Sequence, residues 1–231
     1  NHVEVFAYLR SPASFFLSYA QQSIKKRPEF RVLSPTRYRD TLGPFAEHGP
    51  GPVNVARFGR DALKDGDAVT DFCARLLPNV DRTALIRGAT EDNATVSAEA
   101  MVLLQAIFRG TRPLPRGYDG NRKTLRKIVT ACDGRVPGQT RPRLHDGVRH
   151  AVETRCADLG WLEDTFGLRF PDLGPRDMDP AEATRIHDRL RDVADLCPVD
   201  AARTEALWEA VCAEARAARR PLRRVSRRLG F

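Results

Sequence analysis

The 231-residue chain is 42% hydrophobic and 29% charged, enough apolar content for one domain with a substantial core, so it need not be disordered. Its longest apolar windows, such as AMVLLQAIF, fall short of the roughly 20 residues that a membrane-spanning helix needs, and no stretch reads as a signal peptide with an apolar centre. The formal net charge of +8 suggests a polyanionic partner, but the seven arginines between Arg216 and Arg228 account for all but one of those charges. The body is therefore nearly balanced, which weakens a general nucleic-acid reading.

Residues 3–9 are apolar at nearly every position and rich in β-formers (Val3, Val5, Phe6, Tyr8), a pattern that predicts a central strand of a parallel sheet, buried on both faces. Arg10 ends the run, Ser11 suits an N-cap and Pro12 the first helical position, so a helix is predicted to start within two residues of the strand. Strand ends that feed helix N-termini are where open α/β sheets bind anions. Ser11, Ser14 and Ser18 fall at i, i+3 and i+7 on one helical face, with Phe15, Phe16, Tyr19 and Ile24 on the packing side. An anion along that face would meet Arg10 and Ser18 together; the same residues also fit a surface strand end followed by a solvated serine stripe.

The stretch from Arg27 to Pro52 is rich in proline, glycine and arginine and reads as helical turns among irregular connections. Arg37, Tyr38 and Arg39 are candidates there for contact with an anionic substrate, a solvated charged loop being the competing reading. PVNVARF predicts a second strand; if parallel to the first, it brings Arg57 towards the same face of the sheet as Arg10. DAVTDFCARLL carries Val69, Phe72, Cys73, Leu76 and Leu77 as a helical packing stripe ended by Pro78. Ser97 caps a further helix whose apolar face is Met101, Leu104, Ile107 and Phe108, with Gly110 and Pro113 stopping it.

Arg122 and Lys123, just ahead of a short helix TLRKIVTAC, and Arg126 within it form a basic cluster that could meet a phosphate or an acidic acceptor or simply face solvent. Single helices are predicted over Asp146–Phe166, with Trp161, Leu162 and Phe166 in the core, and over Met178–Leu196, with Asp179 before Pro180 as its cap signal. The last helix starts near Asp200 and continues through Trp208 and Cys212 into the arginine-rich tail, where Pro221 must break it. The expected organisation is one α/β domain over residues 1–215, predominantly helical, and a tail over 216–231. Deleting the tail should leave the fold intact and remove salt-dependent contact with polyanions.

The strand followed by Y-L-R-S-P-x-x-x-F-L-S-Y-x-x-Q resembles the 3'-phosphate-binding segment of the sulfotransferase superfamily, in which an arginine at a strand end and a serine eight positions later hold the 3'-phosphate of 3'-phosphoadenosine 5'-phosphosulfate. Arg10 and Ser18 have that spacing. PVNVARF, DAVTDFCARLLPNV, EDNATVSAEAMVLLQAIF and ADLGWLEDTFGLRFP extend the likeness to about half of the chain, and the EDNATVSAEA helix start is similar to that of bacterial sulfotransferases. The resemblance implies a P-loop nucleoside triphosphate hydrolase-like fold and this nucleotide as co-substrate. It further implies sulfuryl transfer to a hydroxyl or amine acceptor, carbohydrate included. The family's lysine-bearing phosphate loop, typically K-x-G-T-T, does not occur, so the chain is expected to be the C-terminal part of a longer domain. A non-catalytic nucleotide- or polyanion-binding protein is the alternative.

Other chemistry finds less footing. Five cysteines make no C-x-x-C pair and fit small core residues in a reducing cytoplasm. His145 and His150 are five apart, off the spacing that puts two ligands on one helical face, and no metal site is expected. No G-x-S-x-G elbow points to a serine hydrolase.

Overall fold

The computed structural model describes residues 3–30, 36–77, 80, 95–116, 118 and 120–218. Two strands and ten helices are found among them: β1 Val5–Leu9, α1 Pro12–Ile24, α2 Tyr38–His48, β2 Val53–Arg57, α3 Ala68–Leu76, α4 Ala98–Arg109, α5 Arg122–Arg135, α6 Asp146–Thr154, α7 Leu159–Phe166, α8 Pro180–Arg189, α9 Val193–Leu196 and α10 Ala201–Ala218. The architecture is mostly helical with a small parallel sheet, compatible with an α/β class. The chain divides into two compact units, one formed by Asn1–Phe16, Leu33–Asp92 and Arg149–His187, the other by Leu17–Val32, Asn93–Val148 and Asp188–Phe231. The arginine-rich tail beyond Ala218 lies outside the described residues.

In the first unit β1 and β2 pair in parallel, with Val5 opposite Val53 and Leu9 opposite Arg57. Paired residues of a parallel ladder point to the same side, so alternation divides the sheet into two faces. Ala7, Leu9 and Val55 pack on a core of Tyr38 and Leu42 from α2, Leu159 and Leu162 from α7, Cys156 and Phe170. Phe6 and Tyr8 face the other way; their rings meet edge to face at 5.0 Å, and Tyr8 meets Phe58 at 6.0 Å. The expected central strand is thus corrected: β1 begins at Val5, is half-buried throughout, and has β2 as its sole strand neighbour among the described residues.

Further differences have local causes. Of the predicted α3 stripe only Cys73 is buried: Val69, Phe72 and Leu77 are exposed, whereas the charged Asp71 is buried. Asp71 is held there by Tyr8 Oη (2.6 Å), the Lys64 amide (3.0 Å) and Arg75 Nε (2.6 Å). Helical periodicity showed where apolar residues align but not which face finds a partner. The helix predicted over Asp146–Phe166 is two, because the Cys156 amide donates to the Glu153 carbonyl and closes α6, while Cys156 Sγ turns to the Thr36 carbonyl. The helix predicted over Met178–Leu196 is also two, since Asp192 and Asp195 form a capping box that starts α9 afresh. Within the Arg27–Pro52 stretch, α2 is a regular 11-residue helix with Pro44 inside it.

The second unit is helical. α4, α5 and α10 pack together, burying Met101, Leu103 and Leu104 with Leu125, Val129, Leu207 and Val211. Ser97 caps α4 by accepting the Ala100 amide, and Gly110 ends it in the left-handed conformation at φ 79°, which a side chain would strain. Asn121 caps α5 three residues ahead of the predicted start, accepting the Thr124 amide. No helix among the described residues is long and apolar enough to cross a membrane.

Candidate functional site

The chain turns from strand to helix in two residues: Leu9 ends β1, and the Phe15 amide already donates to the Ser11 carbonyl at 2.8 Å. The first-turn amides of Ala13 and Ser14 precede that bond and lie at the positive end of the helix dipole. β2 ends at the same level, and the Phe58 amide extends the ladder by donating to the Leu9 carbonyl at 2.6 Å. Beyond both carboxyl ends opens a cleft of about 310 Å³, lined by Ser11 and Ser14 of the α1 start, Arg57, Phe58, Gly59 and Asp61 after β2, and Phe170, Pro171 and Asp172. This is the position that parallel sheets offer to ligands.

Arg57 lines the cleft and pairs with Asp61, Nη2 to Oδ2 at 2.7 Å. Arg10 is not among the residues that line the cleft. Its guanidinium lies 4.3 Å above the Phe58 ring centroid, a cation–π stack on the face that carries Tyr8. The parallel register therefore brings Arg10 and Arg57 to one end of the sheet, while alternation sends their side chains to opposite faces, joined by Phe58. Arg10 is half-buried, and no carboxylate among the described residues pairs with it. Burial accordingly pulls its pKa below the ordinary arginine value. Its backbone is fixed by Tyr38, whose hydroxyl donates to the Arg10 carbonyl at 2.6 Å and whose own pKa is pushed up by burial.

The remaining sequence candidates divide. Ser14 is exposed and lines the cleft. Ser18 stands one turn further along α1, in the part of that helix counted with the second unit, and does not line the cleft. Arg37 is exposed and pairs with Asp40 at 3.3 Å, and Arg39 lies 5.9 Å from the Trp161 ring. Lys123 is an exposed residue on α5 of the helical unit, and its neighbour Arg122 stacks on Phe108 at 5.1 Å.

The cleft holds carboxylates that the sequence did not announce. Asp172 Oδ2 accepts the Ser11 hydroxyl at 2.6 Å, a contact between residues 161 positions apart. Neither Asp61 nor Asp172 had a spacing signal: Arg57 ends β2, and the i, i+4 pairing rule holds only on helices. Among the described residues no group of three or more His, Cys, Asp or Glu could hold a metal ion. No family model, curated protein or solved structure matches the chain.

Proposed function

We propose that this chain is a sulfotransferase-like, nucleotide-binding protein that takes 3'-phosphoadenosine 5'-phosphosulfate as sulfuryl donor for a hydroxyl or amine acceptor, carbohydrate included. One observation carries the reading: a half-buried arginine, Arg10, has no carboxylate partner among the described residues at the point where two parallel strands end and a helix begins. Taking a charge out of water is unfavourable unless a counter-charge meets it. A phosphate at this strand end supplies that counter-charge from outside, and the planar guanidinium offers it two parallel hydrogen bonds.

In this reading Arg10 grips the 3'-phosphate from the Phe58 side, and Ser14 and the first amides of α1 contribute donors. Arg57 supplies positive charge shared with Asp61. That sharing favours a second reading, a non-catalytic nucleotide-binding protein, because less free positive charge is left for the charge that develops on the bridging oxygen during sulfuryl transfer. Transfer of labelled sulfate to an acceptor separates the two.

Calorimetry with 3'-phosphoadenosine 5'-phosphate tests the binding. A charged hydrogen bond contributes roughly 1.5–3 kcal/mol, so Arg10→Ala should weaken this ligand about ten- to a hundredfold, and Ser18→Ala less. Adenosine 5'-phosphate, which lacks the 3'-phosphate, should bind the unaltered protein more weakly, yet lose little more once Arg10 is alanine. Equal losses from removing the 3'-phosphate in both proteins mean that Arg10 does not hold that group, and the reading fails.

A further inference from the structure

We infer that Asp172 makes the cleft selective for an oxyanion that carries a proton, a hydrogen phosphate, over sulfate; the inference rests on the anion-binding reading above. Ser11 gives its only proton to Asp172 Oδ2 at 2.6 Å, so towards a ligand the serine oxygen offers lone pairs alone. Asp172 lines the same cleft, and no described residue donates to its second carboxylate oxygen, Oδ1. One wall of the cleft is therefore made of acceptors, while Arg57, itself paired with Asp61, and the Ser14 hydroxyl are the donors that line it.

These acceptors and donors suit different oxygens of one ligand. At neutral pH inorganic phosphate keeps at least one P–OH, which donates to Asp172 while its ionised oxygens face the donors. Sulfate is fully ionised, has no proton to give, and sets an oxygen against the carboxylate. A site built to accept a ligand hydrogen bond rejects an analogue that lacks the proton more strongly than apolar pockets reject a missing methylene.

Asp172 is also held in place. Arg149 donates through Nη2 to the Asp172 carbonyl and through Nε to Glu153 Oε1 at 3.0 Å, and Glu153 Oε2 accepts the Gly174 amide at 2.9 Å. Glu153 is fully buried, so this clamp anchors residues 172–174 from below while the Asp172 side chain stays exposed to the cleft. A side chain at 174 would crowd it, as a Cβ there lies 3.2 Å from His150 Nε2 and 3.3 Å from Glu153 Oε2. Arg149 and Glu153 are positioning residues for the acceptor wall.

The test is calorimetric titration of the full chain with inorganic phosphate and with inorganic sulfate at pH 7 and equal ionic strength. Phosphate should bind about tenfold or more tightly than sulfate. Asp172→Asn, which still accepts from Ser11 but also offers an N–H, should raise sulfate affinity and erase the preference, with unfolding temperature unchanged. Glu153→Gln should shrink the preference several-fold by loosening the loop. Equal binding of the two anions, or a preference that survives Asp172→Asn, overturns the inference; if 3'-phosphoadenosine 5'-phosphate still binds through Arg10, the nucleotide reading stands. Failure of all three ligands to bind overturns both.

Discussion

Two arginines, one in each unit, meet opposite fates. Arg203 in α10 is buried and wholly answered from within: Nη1 donates to Ser97 Oγ at 2.8 Å and Glu99 Oε2 at 3.1 Å, Nη2 to Asp133 Oδ1 and its carbonyl at 2.9 Å, and Nε to the Pro137 carbonyl at 3.1 Å. Gln139 and the Ser97 amide complete the set around Asp133. Arg10 has an aromatic ring beneath it and no internal carboxylate. The same side chain thus locks three helices at one place and rests on an aromatic ring at the other, and what separates the two is whether buried carboxylates surround it.

The comparison predicts unequal costs. Arg203→Met leaves Asp133 and Glu99 buried without their cation and should destabilise the protein by about 3–5 kcal/mol, measured by denaturant unfolding. Adding Glu99→Gln and Asp133→Asn should recover part of that loss, and a single-variant cost under about 1 kcal/mol would break the contrast. Asp71 is the intermediate case, a buried carboxylate whose partner Arg75 is half exposed. The Arg75 hydrogen bond, aided by those of Tyr8 and Lys64, outweighs burial and lowers its pKa from 3.8 to about 2. A folded pKa below the unfolded one means that the ionised network stabilises the protein above about pH 4 and that this contribution is lost as the pH falls towards 2. Unfolding followed across that window should show the loss, and Asp71→Asn should flatten it. Arg10→Ala should change stability least, by less than about 1 kcal/mol, since it removes one ring stack and no internal ion pair, while still costing the nucleotide affinity described above.

Local signals were legible where a short stretch of chain decides the outcome. The rapid passage from Leu9 to Pro12, the second strand at PVNVARF and its Arg57, the Ser97 cap and the Gly110 stop, and Asp179 ahead of Pro180 all follow from side-chain volume, φ preference and capping chemistry within a few residues. The sequence by itself therefore determined most helices, both strands and the residues at their junctions. Only the tertiary structure decided which apolar stripe is covered: Phe72 of α3 is left exposed, while Met101 and Leu104 of α4 are sealed by α5 and α10. It also decided that Asp172 meets Ser11 and that Arg203 meets Glu99 and Asp133. Charged groups attract regardless of their distance in sequence, so no spacing announces such pairs; they exist because packing brings distant segments together and burial then requires each charge to be answered.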